Sequence, residues 1–117
     1  MPTIRTISTG QYQQEQARAM TEANLQTRIL RLAKTCGYLT YHTHDSRRSQ
    51  PGWPDLVLAN KKTGILLFRE LKTERGRVRP EQKEWIETLT ALGQDAAIWR
   101  PSDLLSGAVF KQLQPDT

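Results

Sequence analysis

Two apolar runs, Asp55-Leu-Val-Leu-Ala-Asn60 and Ile65-Leu-Leu-Phe-Arg-Glu-Leu-Lys72, are separated by Lys61-Lys62-Thr63-Gly64. No other feature constrains the fold as tightly. Short apolar runs bounded by a Gly-containing polar turn predict two strands of a β-hairpin. Both strands are apolar on both faces through their middles, so the sheet is expected to be covered on both sides, as in an α/β layer structure rather than an open antiparallel sheet. Partners across an antiparallel pair have residue numbers of constant sum. A loop centred on Lys62-Thr63 fixes that sum at 125 and sets Asp55 opposite Glu70. Opposed residues share a face, and the strand period of two adds Lys72 to it.

The rest of the chain supplies the expected layers. Residues 1–18 are polar and Gln-rich, without an apolar face, and read as a flexible arm or an extra helical turn; 19–117 read as a single domain. Leu25, Ile29, Leu32 and Cys36 recur at helical spacing between a Thr21 N-cap and Gly37, predicting a helix over about 21–36. Tyr38–His44 alternates as a strand, followed by a polar loop through Pro54. Pro80 at the first helical position, Glu81 and Glu84 in the early turns, Trp85, Leu89 and Leu92 on one face, and Gly93 at the end mark a second helix. Ala96–Arg100 reads as a short strand and Ser102–Leu113 as a final amphipathic helix. The order is α-β-β-β-α-β-α, a mixed sheet flanked by helices.

Two facing carboxylates repel unless something positive lies between them, either a lysine or a bound cation. A hard divalent ion suits the patch, because Mg²⁺ is held by one or two carboxylates together with waters and substrate phosphate oxygens. A lysine beside it can orient or deprotonate an attacking water, or neutralise charge building on a phosphoryl transition state. Asp55, Glu70 and Lys72 together have the chemistry of a metal-assisted phosphodiesterase. Composition agrees: 17 Lys+Arg against 12 Asp+Glu give a net charge of +5, which favours a polyanion, nucleic acid or a membrane surface. One cysteine, Cys36, cannot form an internal bridge, and no Cys/His cluster has zinc spacing. No apolar run is long enough to span a bilayer, and the first residues lack a signal-peptide core.

At Gly52-Trp53-Pro54-Asp55, Glu70-Leu71-Lys72 and Gln82 the sequence resembles the VRR-NUC (virus-type replication-repair nuclease) family of the PD-(D/E)XK nuclease superfamily, over about residues 20–105. That resemblance implies a PD-(D/E)XK-like core and a Mg²⁺- or Mn²⁺-dependent DNA nuclease acting on branched or flapped DNA. It makes Asp55 and Glu70 metal ligands and Lys72 the catalytic lysine. Gln82 corresponds to the glutamine of the family's second helix, and Glu22 to the glutamate of its first, a further metal ligand. Stand-alone members resemble junction-resolving enzymes. One active site per chain cutting two strands symmetrically implies a homodimer on four-way (Holliday) junctions, in the cytoplasm of a bacterial or phage-infected cell.

The basic residues Arg75, Arg77, Arg79 and Lys83 follow Lys72, and Arg47 and Arg48 precede Asp55. Both segments are expected at one end of the sheet, as a rim that binds DNA backbone without reading sequence. Trp53 and Tyr41 are candidates to stack on an unpaired base, whereas Trp85 and Trp99 read as core. His42 and His44 read as ordinary strand residues, since no third ligand accompanies them. Two rivals remain: a flap or single-strand nuclease within a replication or recombination complex, and a basic DNA-binding module without turnover.

Overall fold

The structure is a computed structural model that describes residues 8–43 and 50–115. These residues form α1 (Thr9–Ala19), α2 (Glu22–Thr35), β1 (Leu39–His42), β2 (Leu56–Asn60), β3 (Ile65–Leu71), α3 (Pro80–Ala91), β4 (Asp95–Trp99), α4 (Pro101–Leu105) and α5 (Ala108–Leu113). The strands lie in the order β1-β2-β3-β4. The first three are antiparallel, and α3 carries the chain across to a parallel β4. This is the PD-(D/E)XK-like α/β arrangement, a four-stranded mixed sheet with helices on both faces.

Alternation sorts the side chains. Leu56 and Leu58 of β2, Leu67 and Leu71 of β3 and Trp99 of β4 point to one face, where they meet Leu25, Ile29 and Ala33 of α2 and Val109 and Leu113 of α5. Burying such a set of aliphatic side chains, at about 1.5–3 kcal/mol each, supplies the main force holding the sheet to its helices. The opposite face carries Val57, Ala59, Phe68 and Ile98; α3 packs against β4, and Trp53 packs edge-on against both Phe68 and Trp85, at centroid distances of 5.9 and 4.9 Å. The hairpin register is the expected one: Leu56 pairs with Arg69 and Asn60 with Ile65.

Two local features depart from the sequence reading, and a third, the N-terminal helix, extends it. The polar N-terminal segment contains α1, about three turns long. Ser8 and Gln11 cap it reciprocally, and Ala17 is its buried residue. Its capping box, together with packing against α4, stands in for the missing apolar stripe. The last helix is two short ones, because Gly107 adopts φ +88° and breaks the repeat between Leu105 and Ala108. Finally, Trp53 is held between Phe68 and Trp85 rather than presented for stacking, while Tyr41 is 57% exposed.

Candidate active site

Asp55 sits one residue before β2, and Glu70 lies near the end of β3. The register that pairs Leu56 with Arg69 brings the two opposite each other. Asp55 extends the ladder with its side chain: Oδ2 accepts a hydrogen bond from the Leu71 backbone N–H at 2.8 Å. On its other side the Asp55 carbonyl accepts from Thr43 N at 3.1 Å, so β1 pairing also continues into this row. Lys72 follows β3 directly and is fixed by its N–H donating to the Trp99 carbonyl at 3.1 Å.

Glu70 is 3% exposed and Lys72 8%. Burying a carboxylate costs several kcal/mol unless it is paired and bonded. Glu70 is only half satisfied: Oε1 accepts from Gln82 Nε2 at 2.8 Å, and Oε2 is buried with no hydrogen-bond partner. Its pKa is pushed up from 4.5 to about 8, first by burial and then by Asp55, as a like charge and as the partner for a shared proton. Glu22 acts in the same direction and Lys72 opposes. The pair therefore calls for a positive species between its oxygens, a proton or a cation.

Gln82 occupies the third position of α3 and works in two directions. Its Oε1 accepts from the Arg79 N–H at 2.9 Å, satisfying an otherwise free donor of the helix start. That bond fixes the amide so that Nε2 faces Glu70. The Gly52 turn approaches the same helix start so closely that a Cβ at Gly52 would stand 2.3 Å from the Glu81 carbonyl oxygen, and Gly52 has φ +91°. Glycine here is required by space and by backbone conformation together. It ties the segment leading to Asp55 to the helix that carries Gln82.

Of the predicted site residues, the fold assembles Asp55, Glu70, Lys72 and Gln82. Glu22 is the first residue of α2, exposed, and near enough for its charge to act on Glu70. Among the described residues, however, no three His, Cys, Asp or Glu side chains converge to hold a metal by themselves. Arg75, Arg77, Arg79 and Lys83 are exposed along the loop and helix start that follow Lys72. Arg47, Arg48 and His44 lie outside the described residues. One contributor escaped the sequence reading: Arg100 donates through Nη1 to the carbonyls of Thr73 and Gly76, both at 2.8 Å, and holds the basic loop against the end of β4. Nothing in its local pattern marks that long-range role.

The donor set fits a hard divalent cation. It offers carboxylate oxygens, one of them buried and unbonded, and leaves room in the coordination count for water and phosphate. A family model for the VRR-NUC domain matches residues 4–102. The chain belongs to the VRR-NUC family. That membership implies a nuclease acting on DNA, of a kind generally dependent on divalent metal. Comparison with curated proteins and with solved structures returns no match for this VRR-NUC chain. Its match includes α1, which the motif-bearing part of the sequence does not.

Proposed function

We propose that this VRR-NUC chain is a Mg²⁺- or Mn²⁺-dependent endonuclease that cuts branched DNA, four-way junctions in particular, as a homodimer. The observation that carries the catalytic part is the opposed Asp55–Glu70 pair, with Glu70 buried, one of its oxygens unbonded, and Lys72 beside it. Asp55 and Glu70 would hold the cation, with Glu22, whose charge acts on Glu70, as a further ligand. When bound, the cation acts as a Lewis acid on the phosphoryl group and lowers the pKa of water.

The remaining work falls to the chain itself. Gln82 keeps the Glu70 carboxylate turned toward Asp55. Lys72, whose charge acts on Glu70, would neutralise the phosphodiester as it becomes more negative in the transition state and orient the incoming water. The exposed guanidinium groups of Arg75, Arg77 and Arg79, with Lys83, engage backbone phosphates and seat the strand over the carboxylates. Such contacts carry no base identity, which accords with selection by DNA shape. A junction requires two symmetric cuts, and a two-fold dimer supplies two sites in the required relation.

The test is cleavage of labelled four-way junction, flap, single-stranded and linear duplex DNA in Mg²⁺ or Mn²⁺, with gel filtration and light scattering alongside. Paired nicks across the junction by a dimer are expected. Cutting confined to a flap, or a monomer that cuts, would replace the resolvase reading with a flap nuclease. Binding without cutting on every substrate would make the chain a DNA-binding module.

A further inference from the structure

Thr43 stands in the same row as the two carboxylates. The β1–β2 register pairs Leu39 with Ala59 and His42 with Leu56, and the next pair is Thr43 and Asp55, joined by the 3.1 Å bond from Thr43 N. Opposed residues share a face, so the row across three strands reads Thr43, Asp55, Glu70. The Thr43 hydroxyl is buried and makes no hydrogen bond. A buried hydroxyl without a partner costs about 1–3 kcal/mol, and a valine would fill the same space in a strand without that cost. Two unbonded buried oxygens, Thr43 Oγ1 and Glu70 Oε2, thus belong to one row on one face of the sheet, on either side of Asp55.

We infer that Thr43 Oγ1 is a further oxygen of the cation site, reached through a water: the hydroxyl accepts a hydrogen bond from a water on the cation and so completes the sparse Asp55–Glu70 set. The chemistry supports an indirect contact. A divalent cation such as Mg²⁺ keeps several waters, and those waters need acceptors fixed by the protein. Thr43 follows β1 directly, its N–H held by the Asp55 carbonyl at 3.1 Å, and its hydroxyl can serve as one. This inference rests on the cation reading above, and it makes Thr43 a positioning residue.

The experiment is titration of the full chain with Mn²⁺, and with Ca²⁺ in parallel, read by calorimetry and by the melting temperature with and without ion. Wild type is compared with Thr43→Val, Thr43→Ser and Asp55→Asn. Thr43→Val is expected to weaken ion binding about 10-fold, the scale set by loss of a group that supports a metal's direct ligands, while its ion-free melting temperature stays level or rises. Thr43→Ser is expected to bind within about 2-fold of wild type, since it keeps the hydroxyl. If Thr43→Val binds ion as tightly as wild type while Asp55→Asn does not, the Thr43 inference falls and the cation reading stands. If Thr43→Val melts lower without ion, its role is structural and the inference again falls. If wild type binds no ion, both readings fall together.

Discussion

Arg69 and Glu70 are neighbours on β3, equally buried, and face opposite sides of the sheet. Arg69 points into the helix-covered core at 2% exposure. Its Nη1 donates to the carbonyls of Phe68 and Asp95, its Nη2 to Asp95 Oδ1 and Gln112 Oε1, and its guanidinium lies 4.8 Å from the centroid of Trp99. Only Nε lacks a bond. Glu70 has one bond, an unpartnered oxygen and a like charge opposite it. The first charge is buried and answered by the fold, and the second is buried and left open. Arg69 is completed within the fold, whereas Glu70 needs a proton or a cation between its oxygens and Asp55, and this difference separates scaffold from site within two residues.

The contrast breaks most sharply under substitutions that leave the scaffold standing. Lys72→Ala and Asp55→Asn are each expected to lower the rate of DNA cleavage by about 10²–10³-fold, the scale for removing one preorganised electrostatic contact. Single-turnover cleavage, with binding measured separately by anisotropy, tests this. Retained cleavage in both variants would move the site elsewhere. Arg69→Ala is expected to act in the opposite sense. It should cost about 3 kcal/mol of stability, as when one partner of a buried ion pair is removed. Urea unfolding measures that loss, and the exposure of Asp95, 62%, keeps the figure at the low end for such pairs. If Arg69→Ala unfolds like wild type while cleavage disappears, the two roles have been assigned to the wrong residues.

Gly52 joins the two halves of the comparison, because the loop leading to Asp55 touches the helix start that aims Gln82. Gly52→Ala forces a Cβ onto the Glu81 carbonyl in a left-handed backbone position, at an expected cost of about 2 kcal/mol. Cleavage should fall further than stability alone accounts for, since separating the loop from α3 pulls Gln82 off Glu70. A thermal melt paired with cleavage well below the melting temperature distinguishes these effects.

How much of this was legible depended on whether the cause was local. The Asp55–Glu70 pairing followed from loop length, because a hairpin register is arithmetic once its turn is placed. Lys72 followed from the strand period, and Gln82 from the resemblance together with a well-punctuated helix start. The Arg69–Asp95 pair was not legible, since it joins residues brought together only by the parallel β3–β4 pairing across α3. Arg100 escaped notice for the same reason. Helix α1 carries no apolar stripe to announce it, and the break at Gly107 lies inside a pattern that reads as continuous. Thr43 looks like any strand threonine until the fold shows its hydroxyl buried without a partner beside the carboxylates.

Acidity probes the Glu70 carboxyl. The folded pKa of Glu70, about 8, lies above its ordinary 4.5, so between those values the folded chain holds a proton that the unfolded chain has released. The stabilisation is full below pH 4.5 and is lost as pH rises through about 8. In the absence of divalent ion, the melting temperature is therefore expected to fall by roughly 10 °C between pH 6 and 9, about 2–3 kcal/mol for the two pH units that lie below the folded pKa. Glu70→Gln should flatten that slope, and Mn²⁺ should offset it in wild type by replacing the proton between the carboxylates. A wild-type slope that persists in Glu70→Gln would assign the titration to another group.

The smallest effect belongs to the rim, where charges are exposed and solvent answers them. Arg77→Ala or Lys83→Ala is expected to change stability by under about 0.5 kcal/mol, as surface substitutions do. Each should also reduce the salt dependence of DNA binding by about one unit of slope in log Kd against log salt, because each removes one phosphate contact and its released counterion. The loss should be equal for junction and duplex DNA, since a phosphate contact is blind to base identity and both substrates offer the same backbone. A variant that weakens junction binding while sparing duplex would make that residue a reader of branch shape. The distinction between scaffold charge and site charge would then extend to a third kind, exposed and selective.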